Sequence, residues 1–215
     1  MRSGTSKAPG LHALLTERAR PWVHARADSP AFRGILTGTL DPAVMRRWIE
    51  QDHLYLHTYS RVLARLASLA PDRHLATLID GAHYTIHTEV RQIRELAEIF
   101  GADLGTAEMG EACRGYTAHL VDNSDTLETG VVAVLPCMVG FSAIGLTLDP
   151  PTEPRYRRWI EMYASGDFQE YTARFARIVD DLDIDEAAAI EIFETGMAFE
   201  MALWDDAATA TATSR

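Results

Sequence analysis

Val131-Val-Ala-Val-Leu-Pro136-Cys137-Met-Val139-Gly-Phe141-Ser-Ala143-Ile-Gly145 carries no charge and sets a proline beside a cysteine. The run is shorter than the roughly twenty residues needed to span a bilayer, so it reads as a central buried helix. Within a helix Pro136 has no amide to donate and clashes with the carbonyl of Val132, which predicts a kink. A lone buried cysteine is ordinarily a small core hydrophobe, whereas a thiol at a kink can face a cavity. What surrounds Cys137 decides between the two.

Two carboxylates occur where helical spacing places them on apolar stripes. Phe193, Met197, Glu200 and Trp204 fall at i, i+4, i+7 and i+11, one helix face with a single charged member. Trp48, Asp52, Tyr55 and Tyr59 repeat the spacing, and Asp52 is again the exception. Ionised carboxylates are almost never fully buried unless paired, so one of the two reads equally as half of a structural pair with an arginine. Two such positions together with a cavity thiol point to chemistry.

The chain has 215 residues, 47% apolar and 24% charged, enough for one sizeable core. A net charge of −11 provides no basic patch for nucleic acid and disfavours an anionic membrane surface. Met1 to Gly10 lack a signal-peptide core, and two cysteines in unrelated contexts make no disulfide framework, which suggests a reducing cytoplasm. No stretch alternates with period two, and helical periodicity runs nearly throughout, so the class is all-α. Helices are predicted over 11–27 with Pro21 inside, from the Asp41-Pro42 cap to about Ala70, and from the Leu75 region to Gly101 along a stripe of Leu75, Ile79, Ala82, Ile86, Ile93, Ala97 and Phe100. Further helices are predicted over 106–121, through Cys137 to Asp149, and over 154–164, 166–181 and 185–206. Asp28-Ser-Pro30 reads as a stop. Residues 1–10 are expected to be flexible and the Ala-Thr-rich 207–215 to be a disordered tail, flanking a single domain over 11–206.

His53 and His57, like His83 and His87, are four apart and share a helix face, a spacing compatible with a metal ion. No histidine follows His119, so the second half lacks imidazoles for a carboxylate-bridged dimetal bundle. His53 and His57 also lie roughly 100° to 140° around the helix from Asp52. Flank or interface positions account for them better, and His24 reads as a boundary residue rather than a haem ligand. Cys113 sits in a polar setting as an incidental thiol. The tyrosines suit a flat aromatic ligand that stacks between rings.

With these residues in place the chain resembles the TenA family of thiamin-salvage enzymes, also called thiaminase II. The resemblance rests on Ser29-Pro-Ala-Phe32 with Gly38-Thr-Leu40, Gln51-Asp52-x-x-Tyr55-Leu56, Tyr116-Thr-x-His119, Leu135-Pro-Cys137, Trp159-Ile-x-x-Tyr163 and Phe199-Glu200-x-x-x-Trp204. It implies a haem-oxygenase-like all-α fold without haem, usually a homotetramer, that acts without a cofactor or metal on thiamin or a small aminopyrimidine. By the same resemblance Cys137 is the nucleophile that adds to the pyrimidine, Glu200 is the acid/base at a ring nitrogen, and Asp52 contacts the aminopyrimidine edge and orients or deprotonates the thiol. Tyr55, Tyr116, Phe141 and Tyr163 line the pocket. Hydrolysis would release 4-amino-5-hydroxymethyl-2-methylpyrimidine.

The chain departs from the pattern at Val139 and Ala143, where the family commonly has tryptophan and glutamate, and at Phe141, which replaces a tyrosine hydroxyl. The expectation is a smaller, less polar pocket wall that accepts bulkier substituents. Two other classes compete: an oxygen-using or metal-dependent oxidase of the same helical superfamily, and a non-catalytic ligand-binding relative.

Overall fold

The computed structural model describes residues 10–213, and among them there are helices and no strands. The ten α-helices are α1 (Leu11–Ala27), α2 (Pro30–Thr37), α3 (Pro42–Leu69), α4 (Asp72–Tyr84), α5 (Val90–Phe100), α6 (Glu111–Asp122), α7 (Leu127–Thr147), α8 (Pro154–Ala164), α9 (Gly166–Asp180) and α10 (Glu186–Thr213). A π-helical turn, Thr85–Glu89, joins α4 to α5. The all-α, single-core expectation holds.

α7 is the axis of the bundle, packed by α10, α8, α9, α1 and α3. Its 21 residues and high hydropathy would suffice to cross a membrane, but 72% of its most apolar window is buried inside the molecule. Val131 to Leu135 are fully buried whichever way they point, the reason the run lacks polar alternation. Thr126 caps its start by accepting from the Thr129 amide at 3.3 Å. The helix continues through Pro136, whose ring packs against α10: a Cβ built on Gly196 would stand 2.6 Å from Pro136 Cγ. The two helices that carry Cys137 and Glu200 therefore approach through a glycine.

Start signals behave as the physics of capping requires. Asp41 Oδ1 accepts from Ala43 N at 2.9 Å ahead of Pro42, opening α3 where expected. Gly101 ends α5 with φ of 69°, a conformation that L side chains rarely adopt. Asp28-Ser-Pro30 ends α1 but also begins α2, because Ser29 Oγ accepts from Phe32 N at 3.3 Å and Pro30 occupies the first turn.

Several expectations need correction. The predicted helix over 106–121 begins only at Glu111, because buried Gln51 holds the preceding loop: it donates to Glu108 O at 3.0 Å and accepts from Gly110 N at 2.6 Å. The stripe from Leu75 to Phe100 is not one face. Ile93, Ala97 and Phe100 are buried, yet Leu75, Ile79 and Ile86 are exposed, since the π-turn between them rotates one half against the other. Residues 207–213 are helical rather than a disordered tail: alanine is the best helix former, and Ala207 is fully buried on the face that carries Leu203 and Trp204. Apart from Gly10, the expected flexible N-terminus lies outside the described residues.

The Gly196 contact yields a test. Replacing glycine by alanine in a helix gains about 1 kcal/mol of propensity, whereas forcing a methyl against a buried, rigid proline ring costs about 1–3 kcal/mol. Gly196→Ala is expected to destabilise, with a lower urea midpoint and an unchanged slope.

Candidate active site

The apolar stripes read from sequence converge as expected: Trp48, Asp52, Tyr55 and Tyr59 of α3 and Phe193, Met197, Glu200 and Trp204 of α10 are all buried. Four aromatic rings close one end, with Trp48 stacked on Trp204 at 4.8 Å and Trp159 and Phe32 meeting Trp204 edge-on at 5.6 and 5.1 Å. Tyr55 stacks on Tyr116 at 4.6 Å, and Phe141 stacks on Tyr163 at 4.3 Å. Cys137 lies within electrostatic reach of Asp52, Tyr55 and Glu200, so the structure gathers Cys137, Asp52, Glu200 and the four aromatic candidates into one region.

Glu200 is the best anchored of the acids. Its Oε2 accepts from Arg26 Nη2 at 3.0 Å, and its Oε1 accepts from the Tyr116 hydroxyl at 3.1 Å. Arg26 is only 2% exposed, a burial that arginine tolerates only when paired. Its guanidinium lies 5.2 Å from the Phe141 ring centroid, and a Cβ on Gly140 would reach Nη1 at 3.1 Å. Nε and Nη1 have no hydrogen-bond partner in the protein. Burial raises the Glu200 carboxyl above the usual range, with Arg26 and Tyr116 opposing. The buried arginine pair considered from sequence is therefore real, and Arg26 is the partner.

Two further acids complete the cluster. Burial, then the charges of Glu89 and Glu200, push Asp52 well above the carboxylate range. Glu89, on the π-turn, accepts from Thr85 Oγ1 at 2.9 Å, and burial pushes it up to about 7. Cys137 is raised by burial first and then by Glu200, Glu89 and Asp52, so the resting sulfur is a thiol. The Tyr55 hydroxyl approaches both Cys137 and Tyr116 but completes no hydrogen bond of ordinary geometry. Cys113 is buried too, donating to Gln51 O at 3.5 Å, and is pushed up to about 12 by burial.

Sequence reasoning missed Arg26 and Glu89. No charge-in-stripe signal marks Arg26, which lies among the other arginines of α1. Glu89 falls where the helical phase is broken.

The altered wall is not where the sequence suggested. Val139 and Ala143 stand 200° around α7 from Cys137 and Phe141 respectively, at 100° per residue. They line a different cavity of about 430 Å³, between α1, α7 and α9, together with Val23, Ser142, Leu146 and Thr172. Of the three departures only Phe141 faces the aromatic cluster. The expected loosening of the pocket wall at Val139 and Ala143 is withdrawn.

The paired histidines make ring contacts, His53 with His57 at 4.7 Å and His83 with His87 at 4.3 Å. Burial, His57 and Arg94 lower the His53 pKa. Among the described residues no group of three His, Cys, Asp or Glu side chains is placed to hold a metal ion.

An all-α bundle with a buried thiol, three buried acids and clustered aromatic rings defines a class of helical protein built around a polar centre in its core, and comparison places it. A solved TenA homologue from P. horikoshii OT3 superposes with a TM-score of 0.84 over 93% of this chain and 98% of its own, at 23% identity. A domain with a haem-oxygenase-like fold from Shewanella denitrificans OS217 matches with a TM-score of 0.71 over 96% and 95%, at 14% identity. The fold is thus haem-oxygenase-like. The family model described as TENA/THI-4/PQQC matches residues 17–210, and the chain belongs to that family. A curated relative, the aminopyrimidine aminohydrolase of Halalkalibacterium halodurans, is 29% identical over 208 residues, covering 90% of this chain and 93% of its own.

Two outcomes test this geometry. Arg26→Met removes one partner of a buried pair, which costs about 3–5 kcal/mol when the remaining charge is stranded. Protonation of Glu200 relieves part of this, so thermal unfolding is expected to show a loss near the lower end, smaller at acidic than at alkaline pH. Ala143→Leu fills the α1–α7–α9 cavity and should leave steady-state turnover unchanged.

Proposed function

We propose that this protein is a thiamin-salvage aminopyrimidine hydrolase, acting on thiamin or on 4-amino-5-aminomethyl-2-methylpyrimidine to release 4-amino-5-hydroxymethyl-2-methylpyrimidine. The observation that carries the reading is the placement of Cys137 among buried acids inside stacked tyrosines, in a chain whose curated relative over nearly its whole length is an aminopyrimidine aminohydrolase. Its action requires a flat, nitrogen-rich ring that offers a soft electrophilic carbon and basic edges.

The Tyr55–Tyr116 and Phe141–Tyr163 stacks supply aromatic surface against which such a ring can pack. Burial and then its acidic neighbours push Asp52 toward the protonated form, which offers both an O–H donor and a carbonyl acceptor and matches a ring nitrogen beside an exocyclic amine. Cys137 forms the Sγ–C bond to the ring, and Glu200 delivers a proton to the ring nitrogen that receives the displaced electron pair. Arg26 and Tyr116 fix the Glu200 carboxyl in place, so little reorganisation is needed. The leaving group departs with the electron pair of its bond to the exocyclic methylene, water adds there, and loss of the sulfur restores the aromatic ring. A covalent adduct divides one difficult displacement into two easier steps.

The reading includes a homotetramer in the cytoplasm. The exposed apolar side chains of Leu75, Ile79 and Ile86 on α4 and the π-turn support self-association.

The test is steady-state turnover of thiamin and the aminomethyl pyrimidine. Cys137→Ser is expected to abolish turnover with the fold intact, because a hydroxyl is a far weaker nucleophile. Glu200→Gln should lower the rate by about a hundredfold or more. Wild-type turnover by Cys137→Ser on either substrate would end the proposal.

A further inference from the structure

Three depressions on the surface each carry three acids, such as Asp80, Asp167 and Glu170 beside α4 and α9, as suits a chain of net charge −11. The cavity of about 430 Å³ between α1, α7 and α9 differs: no Asp or Glu among the described residues lines it. Ala19, Val139 and Thr172 are its buried lining, and the small side chains of Val139 and Ala143 leave the space open. Its volume lies within the roughly 300–1,000 Å³ of small-molecule sites. His12, Arg20 and His24 recur at multiples of four residues along α1, so one helix face brings all three to the cavity, with Arg20 and His24 exposed. Leu146 of α7, also in the lining, is an apolar side chain left 70% exposed.

The hydroxyls of the lining have their protons committed elsewhere. Thr16 donates to His12 O at 2.8 Å, Ser142 to Gln169 Oε1 at 2.7 Å, Thr147 to Ala143 O at 2.6 Å and Thr172 to Phe168 O at 3.0 Å. They offer a ligand acceptors only, and the side chains of the lining that can donate are those of α1. Arg20 supplies the fixed charge. Its Nη2 meets Glu17 at 2.8 Å, an exposed pair of little strength that engages one nitrogen of the guanidinium. Burial lowers the pKa of His12, with Asp180 opposing, so this imidazole serves as a neutral N–H donor. Asp180 itself lies outside the lining and accepts from the His12 amide at 2.9 Å. We propose that this cavity binds a small molecule with an apolar ring body and a single carboxylate, at a site separate from the Cys137 centre. The body packs on Val23, Val139, Ala143 and Leu146, and the carboxylate meets Arg20 at the mouth, with His12 and His24 as further donors. A cationic ligand would face Arg20 with no acid of the lining to receive it.

The experiment titrates the full chain with 1-naphthoate and with its uncharged counterpart 1-naphthamide at low salt, by calorimetry. Naphthoate is expected to bind with one site per chain and a dissociation constant below about 1 mM, and naphthamide about threefold or more weaker. Arg20→Gln, at an exposed position, should bring naphthoate down to the level of the amide, and added salt should do the same to the parent. Ala143→Leu should abolish the binding of both while turnover is kept. Thr16→Trp, at an exposed position of the mouth, repeats the block if Ala143→Leu fails to fold. Equal affinity for acid and amide overturns the proposal, as does naphthoate binding that survives the blocking substitutions or is displaced by the hydroxymethyl pyrimidine. Absence of binding overturns it too. If that absence is joined by a change of sedimentation coefficient in Ala143→Leu, the cavity is instead covered by a second copy of the chain.

Discussion

The ion pair between Arg26 and Glu200 joins the two ends of the chain inside its core, 174 residues apart in sequence. Either charge is costly in that interior without the other, because stripping water from a single charge costs several kcal/mol that packing alone does not return, and a carboxyl escapes that cost only by taking up a proton. α1 must therefore dock with its last turn against α7 and α10, and Gly140 leaves the room for the guanidinium to do so. Little net stability need come from the pair itself. Its effect is to permit only arrangements in which Glu200 has a cation on one oxygen and the Tyr116 hydroxyl on the other.

Around that pair the interior holds more acid than base. Of Asp52, Glu89 and Glu200 only Glu200 is paired with the buried Arg26, and burial raises the pKa of all three carboxyls. Tyrosine, rather than aliphatic, walls suit such a region, since their faces pack as hydrophobes while their hydroxyls meet polar atoms. The π-turn adds the third acid to an otherwise regular helix pair, at the expense of an outward isoleucine.

Much of this was legible in residue order. An absence of alternation fixes the all-α class, and a charged residue on an apolar stripe singles out Asp52 and Glu200 because stripe membership already implies burial. Cys137 stood out through its proline and its uncharged neighbours. Arg26 did not, since its partner is remote and its helix is rich in arginine. Glu89 escaped because periodicity assumes 3.6 residues per turn, and a single π-turn invalidates the phase beyond it. The same error placed Leu75, Ile79 and Ile86 inside. The C-terminal Ala-Thr segment misled in the other direction: its composition resembles a linker, while its alanines extend a helix that already has a buried face to follow.

Gln51 and Asp52 are neighbours on α3 with unrelated tasks, one clasping the loop before α6 and the other meeting the aromatic enclosure. Consecutive residues on a helix share a rigid frame, so a rotation of α3 that adjusts the carboxyl must also pull on the amide clasp. The surface groove formed by Arg47, Glu50, Asp103 and Met109 is built on that clasped loop. The outside of the molecule is in this way geared to its interior through one peptide unit, and a strain applied at either end is felt at the other.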